Sequence, residues 1–108
     1  MKRATVVTAK ILERYADLIA RGVMRYEVRT ESLDGVDAIH LISAETGDDL
    51  GTYEVLRTLR FSRDEDSEVM SLAQTTREQF YVLFPLPDAG GPNTLWAAEL
   101  GARTAERR

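Results

Sequence analysis

A chain of 108 residues, 44% hydrophobic and 30% charged, has the size and composition of a single globular domain spanning 1–108. It contains no cysteine, which excludes disulfides, thiolate metal sites and cysteine nucleophiles. A formal net charge of −4 disfavours nucleic-acid binding that rests on neutralising phosphates, and the two lysines, Lys2 and Lys10, leave none in mid-chain for a P-loop or a Schiff base.

The first pattern is "TVVTAKILERYADLIARG". Val7, Ile11, Leu12, Tyr15, Leu18 and Ile19 recur at spacings of three and four, which predicts a helix over 6–21 stopped by Gly22. The N-terminal stretch lacks an uninterrupted apolar core and reads as part of the fold and not as a leader. No apolar run approaches the ~20 residues that span a bilayer, so the expected location is cytoplasmic.

In "VMRYEVRT", Met24, Tyr26 and Val28 alternate with Arg25, Glu27 and Arg29, the period of a half-buried strand. "ESLDG" supplies turn chemistry, and "VDAIHLIS" follows as a second strand, apolar on both faces apart from Asp37 and His40. The two runs predict a hairpin. "TYEVLRTLRF" alternates as a third strand.

Ser62 and Glu65 have the spacing of a capping box, and Asp64, Glu65 and Asp66 suit the first turn of a helix over 63–79. "FYVLFPL" reads as a short apolar strand over 80–86, ended by prolines, and "PDAGGPN" as a turn. A last helix, capped by Asn93 or Thr94, would carry Leu95, Trp96, Glu99 and Leu100, with Arg103, Arg107 and Arg108 at its C-terminal end. The predicted order is α-β-β-β-α-β-α. It implies an α+β two-layer sandwich: a mainly antiparallel sheet of three to four strands with helices on one face.

Three sets of residues are candidates for a site. The single histidine, His40, with Glu45, Asp48 and Asp49, could form a small metal-dependent hydrolase site. The adjacent aspartates lack calcium-loop spacing, however, and "ETGDDLG" is also what an inter-strand turn looks like, so the turn is preferred and no catalytic residue, metal or cofactor is assigned. Arg25, Arg29, Arg57 and Arg60 could share an exposed sheet face and bind a nucleotide or other small anion, or could pair across strands with Glu27 and Glu54. The third feature is apolar surplus on the strands, which needs a cover; Trp96 and Leu95 are the natural interface anchors on a terminal helix.

Together these point away from an enzyme. They favour a non-enzymatic protein-binding module (an inhibitor, adaptor or chaperone) that is acidic, homodimeric and occupies another protein's surface through Trp96, Leu95 and the arginines. The anion-binding sensor and the metal-dependent hydrolase are the alternatives.

Overall fold

β-branched residues open the part of the chain that the computed structural model describes, residues 4–104. Val6, Val7 and Thr8 prefer extended backbone, and β1 (Val6–Ile11) is a strand where the sequence predicts the start of a helix. Leu12 is still extended (φ −67°, ψ 141°), and the helix proper, α1, runs only over Glu13–Ala20. The apparent helical period of 7–19 arises because β1 ends on an apolar residue, Ile11, directly before the apolar face of α1, where Tyr15, Ala16 and Ile19 are buried.

β2 (Tyr26–Arg29), β3 (Ala38–Ser43) and β4 (Asp49–Ser62) lie where the sequence predicts strands. At the end of β4, the Glu65 carboxylate accepts the Ser62 N–H at 2.9 Å, as the capping spacing predicts. The helix expected over 63–79 is instead divided. A 3-10 turn (Arg63–Glu65) leads into α2 (Asp66–Ala73), the chain breaks at Gln74 in the left-handed region (φ 55°), and α3 (Arg77–Leu83) follows. Thr76 caps α3 by accepting the Gln79 N–H at 3.2 Å. The apolar run at 80–86 is therefore mostly helix: Phe80 is fully buried, while Val82 is 78% exposed.

The last segment is β5 (Thr94–Arg103) and not a helix. Alanine and leucine prefer helices, but tertiary packing overrides that preference here. Ala97 and Ala98 sit at 0% exposure on opposite faces of the strand, with cores on both sides of it, and only small side chains fit there. Arg103 ends β5, and Arg107 and Arg108 lie outside the described residues.

The protein is α+β, with one mixed sheet of five strands in the order β1-β3-β4-β5-β2. β1 pairs parallel with β3, and the other neighbours are antiparallel. The predicted hairpin of β2 with β3 does not form, because β2 pairs with β5. Nor do the helices share one face. Along β5, Ala98 and Leu100 face a core containing α1, and Leu95 and Ala97 face a second core under α2 and α3. The sheet curls far enough for its two edges to touch: Arg29 Nη1 on β2 donates to the Lys10 carbonyl on β1 at 3.3 Å. This seam between edge strands is the place where the sheet leaves a cleft. Among the described residues, no helix is long and apolar enough to cross a membrane.

Candidate functional site

The cleft at the seam has a volume of about 400 Å³ and is lined by both edge strands, α1 and the α2–α3 region. That is the size range of small-ligand pockets. Its walls are largely apolar, with Ile11, Val28 and Phe84 among them, and its polar groups come from Lys10, Tyr15, Glu27, Arg29, Thr30 and Thr75.

Glu27 is the chemically unusual member. It pairs with Ala98 in the β2–β5 register, and so points to the inner side of the curled sheet. Only 4% of it is exposed. Burial disfavours the charged form and pushes its pKa up to about 7; the nearby Arg29 guanidinium, 3.4 Å from Oε2, offsets part of that rise. Arg29 also reaches the Glu31 carboxylate at 3.2 Å and the Lys10 carbonyl, so the cation is held across the seam. Tyr15, on α1, borders the same cleft and donates its hydroxyl to Gln79 Oε1 on α3 at 2.7 Å.

The acidic stretch after β3 is a turn. Ser43 N donates to the Asp48 carbonyl and Gly47 N to the Ser43 carbonyl, both at 2.9 Å. Its candidate ligands diverge. Glu45 Oε1 accepts the Glu13 N–H at 2.8 Å and so serves the start of α1. His40 Nε2 lies 3.0 Å from Asp49 Oδ1. That Asp49 oxygen also accepts the Gly51 N–H, and these contacts hold the Asp49 carboxyl below its usual range. The Asp48 backbone serves the turn: its N–H donates to Thr46 Oγ1 at 3.2 Å. No group of three or more His, Asp or Glu side chains that could hold a metal ion occurs among the described residues.

The four arginines do not share one face. Arg29 and Arg60 flank Trp96 in a single row across β2, β5 and β4. Arg57 lies on the other face, bonded to Glu99 Oε1 at 2.7 Å and the Tyr26 hydroxyl at 3.2 Å. Arg25 precedes β2, and its carbonyl accepts the Leu100 N–H. Trp96 is half-buried in mid-sheet and Leu95 is wholly inside. On β3, Ile39 and Leu41 have no exposed surface, and Ala38 and Ile42 on the other face are half-buried.

Sequence reasoning missed Lys10, Glu27 and Thr75 as a group. Lys10 fell on the polar side of a predicted helix whose first part is the strand β1, and Glu27 read as the solvent side of a half-buried strand. One signal was available: in "YEV" the carboxylate lies between two core residues of a strand that turns out to be covered on both faces.

No protein-family model and no curated protein matches the sequence. Solved structures do resemble it. The crystal structure of a serine-to-alanine mutant of ASCH from Zymomonas mobilis superposes with a TM-score of 0.70 at 14% identity, covering 90% of this chain and 68% of that one. A tyrosine-to-phenylalanine mutant of the same protein gives 0.70 at 15% identity, with 90% and 69% covered. The unsubstituted ASCH gives 0.67 at 14% identity, with 90% and 67% covered. The likeness is one of fold. It overturns the reading as a non-enzymatic protein-binding module: the chain folds like ASCH proteins, and Leu95, Ile39 and Leu41, among the residues that suggested a docking surface, are fully buried.

Proposed function

We propose that the chain is a small-molecule hydrolase that works in the seam cleft, with Glu27 as the group that moves the proton. The observation that carries this reading is a carboxyl, nearly all buried and with a pKa near 7, on the wall of a ligand-sized cleft. A general base works best when its pKa lies close to the working pH, and burial beside a single cation is a common way to tune a glutamate there. In this reading water is the nucleophile, and ionised Glu27 takes its proton. Arg29 and Lys10 supply positive charge to the oxyanion that forms when water adds to a carbonyl carbon; as the carbonyl re-forms, the C–N or C–O bond breaks and Glu27 returns the proton to the departing amine or alcohol. The apolar walls admit a compact substrate and keep bulk water from competing.

The test is a screen of small amides and esters followed by product analysis, with Glu27→Gln as the paired control. Turnover should fall about a hundredfold or more in that variant, the usual weight of one general base. In the wild type, kcat/KM should rise with pH through about 7, as Glu27 ionises. Turnover that survives in Glu27→Gln, or a profile flat from pH 5 to 9, would remove Glu27 from this role.

A further inference from the structure

Charged residues alternate in "EVRTE", with Arg29 between Glu27 and Glu31. A strand sends every second side chain to one face, so Glu27 and Arg29 share a face of β2, and Glu31 follows just past its end. Arg29 has two carboxylates in reach and divides its donors between them. Its Nε donates to Glu31 Oε1 at 3.2 Å. Its Nη1 donates to Glu27 Oε2 at 3.4 Å and to the Lys10 carbonyl at 3.3 Å. The two carboxylates differ in setting: Glu27 is buried, whereas the Glu31 side chain is 63% exposed. Its own backbone N–H, with Arg29 beside it, holds the Glu31 carboxyl below the usual range, so Glu31 stays ionised while Glu27 titrates.

Arg63 shows what an arginine does to a buried carboxylate when nothing competes for its Nε edge. It closes on Asp66 as a fork, with Nε on one oxygen at 2.8 Å and Nη2 on the other at 3.2 Å. Arg29 turns no such edge to Glu27, because its Nε faces Glu31. What remains is one long bond to Oε2, and Glu27 Oε1 takes nothing from Arg29. The other charged or titratable groups of the cleft are Lys10 on β1 and Tyr15 on α1, whose hydroxyl is committed to Gln79. The α2–α3 wall contributes only Ala73, Thr75, Leu83 and Phe84, and β5 sets Ala98 opposite Glu27. The placement of Arg29 therefore governs how firmly Glu27 is held by a cation.

We propose that Glu31 is a positioning residue for the reaction: by holding Arg29 Nε outside the cleft it keeps the guanidinium from closing on Glu27 as a fork, and so leaves the Glu27 carboxylate free to take a proton from water. This rests on Glu27 being the general base of the seam cleft, and it adds a residue that acts on that base through Arg29.

The experiment follows the Glu27 carboxyl carbon by NMR from pH 4 to pH 9, and kcat/KM over the same range, in wild type, Glu31→Ala, Glu31→Gln, Arg29→Met and the Arg29→Met/Glu31→Ala double variant. In Glu31→Ala, Arg29 is released to pair with Glu27, and the Glu27 midpoint should fall by about one pH unit, the scale of a newly closed ion pair. The rise of kcat/KM should move down with it, and the plateau at high pH should drop, because a weaker base transfers the proton less well. Tm should stay at the wild-type value, since Glu31 is an exposed partner. Glu31→Gln, which still offers Nε an acceptor, should titrate closer to wild type than Glu31→Ala does. In the Arg29→Met background, Glu31→Ala should move the midpoint far less, because its route to Glu27 is gone. A midpoint unchanged in Glu31→Ala overturns the inference. So does an equal fall with Arg29 absent, which would make Glu31 a direct charge on Glu27 and nothing more. A midpoint that falls as expected while turnover is indifferent to Glu27→Gln overturns the hydrolase reading, and the role of Glu31 in the reaction with it, but upholds its hold on Arg29.

Discussion

Among the described residues two carboxylates are buried, each beside an arginine, and the fold treats them in opposite ways. Asp66, at the start of α2, takes Arg63 Nε at 2.8 Å on one oxygen, and Arg63 Nη2 at 3.2 Å and the Tyr81 hydroxyl at 3.0 Å on the other. The rest of the Arg63 guanidinium goes to the carbonyls of Phe84, Pro85 and Pro92, each within 2.8 Å. That pair is saturated and ties the segment after α3 to the base of α2. Glu27 has one hydrogen bond, at 3.4 Å, in a cleft that stays open. A saturated buried pair holds structure, whereas an under-served buried carboxyl retains the capacity to exchange a proton.

The comparison can be broken most severely at Asp66. Asp66→Ala leaves Arg63 buried without its counter-charge, and should cost about 3–5 kcal/mol of stability in denaturant titrations. A loss well below that would mean that Arg63 and its carbonyl partners hold the segment without the carboxylate. Glu27 should behave in the opposite sense. Its pKa in the folded protein, about 7, lies above the 4.5 of an ordinary glutamate, so the folded state binds more protons between those values and Glu27 makes stability fall as pH rises through that window. Below it the carboxyl is neutral in both states and costs nothing; above it the penalty is complete, on the order of 3 kcal/mol. Glu27→Gln removes this dependence. Its stability relative to wild type should improve steadily from pH 4 to pH 8, and a pH-independent difference would contradict the assignment.

Arg29→Met sharpens the contrast further. Arg29 is the influence that lowers the Glu27 pKa, so its loss should move the Glu27 titration, read by carboxyl carbon NMR, above pH 7. A downward move would mean that Arg29 matters mainly by keeping water out. The smallest effect is expected at His40. Its partner Asp49 is exposed, and both stand apart from the cleft, so His40→Ala should leave turnover and Tm at wild-type values.

Much of the fold is readable where one physical signal acts alone. Alternation places β2 and β4, the apolar run of 36–43 places β3, and the Ser62–Glu65 spacing marks the helix that follows β4. Reading fails where two signals overlap or where tertiary structure outweighs preference. The junction of β1 with α1 imitates a continuous helix because Ile11 and Leu12 are adjacent apolar residues. Residues 94–103 carry helix formers but fill the middle of a sheet covered on both sides, where Ala97 and Ala98 are needed for their size. The cleft was not legible, because it lies between the first and second strands of the chain, which sit at opposite edges of the sheet. Lys10, Glu27 and Thr75 line one cleft only through that curl.

The pairing of β2 has a consequence for the order in which the protein can be made. In the sheet β2 touches only β5, and β5 is the last of the five strands to leave the ribosome. Until residues 94–103 have emerged, Glu27 rides on an unpaired strand, and β1 and β3 have no opposite edge to meet. The cleft is therefore assembled late in synthesis, by long-range contacts that form slowly compared with helices. A nascent chain halted before residue 94 would carry every side chain of the proposed site but lack the strand that holds β2 in the sheet.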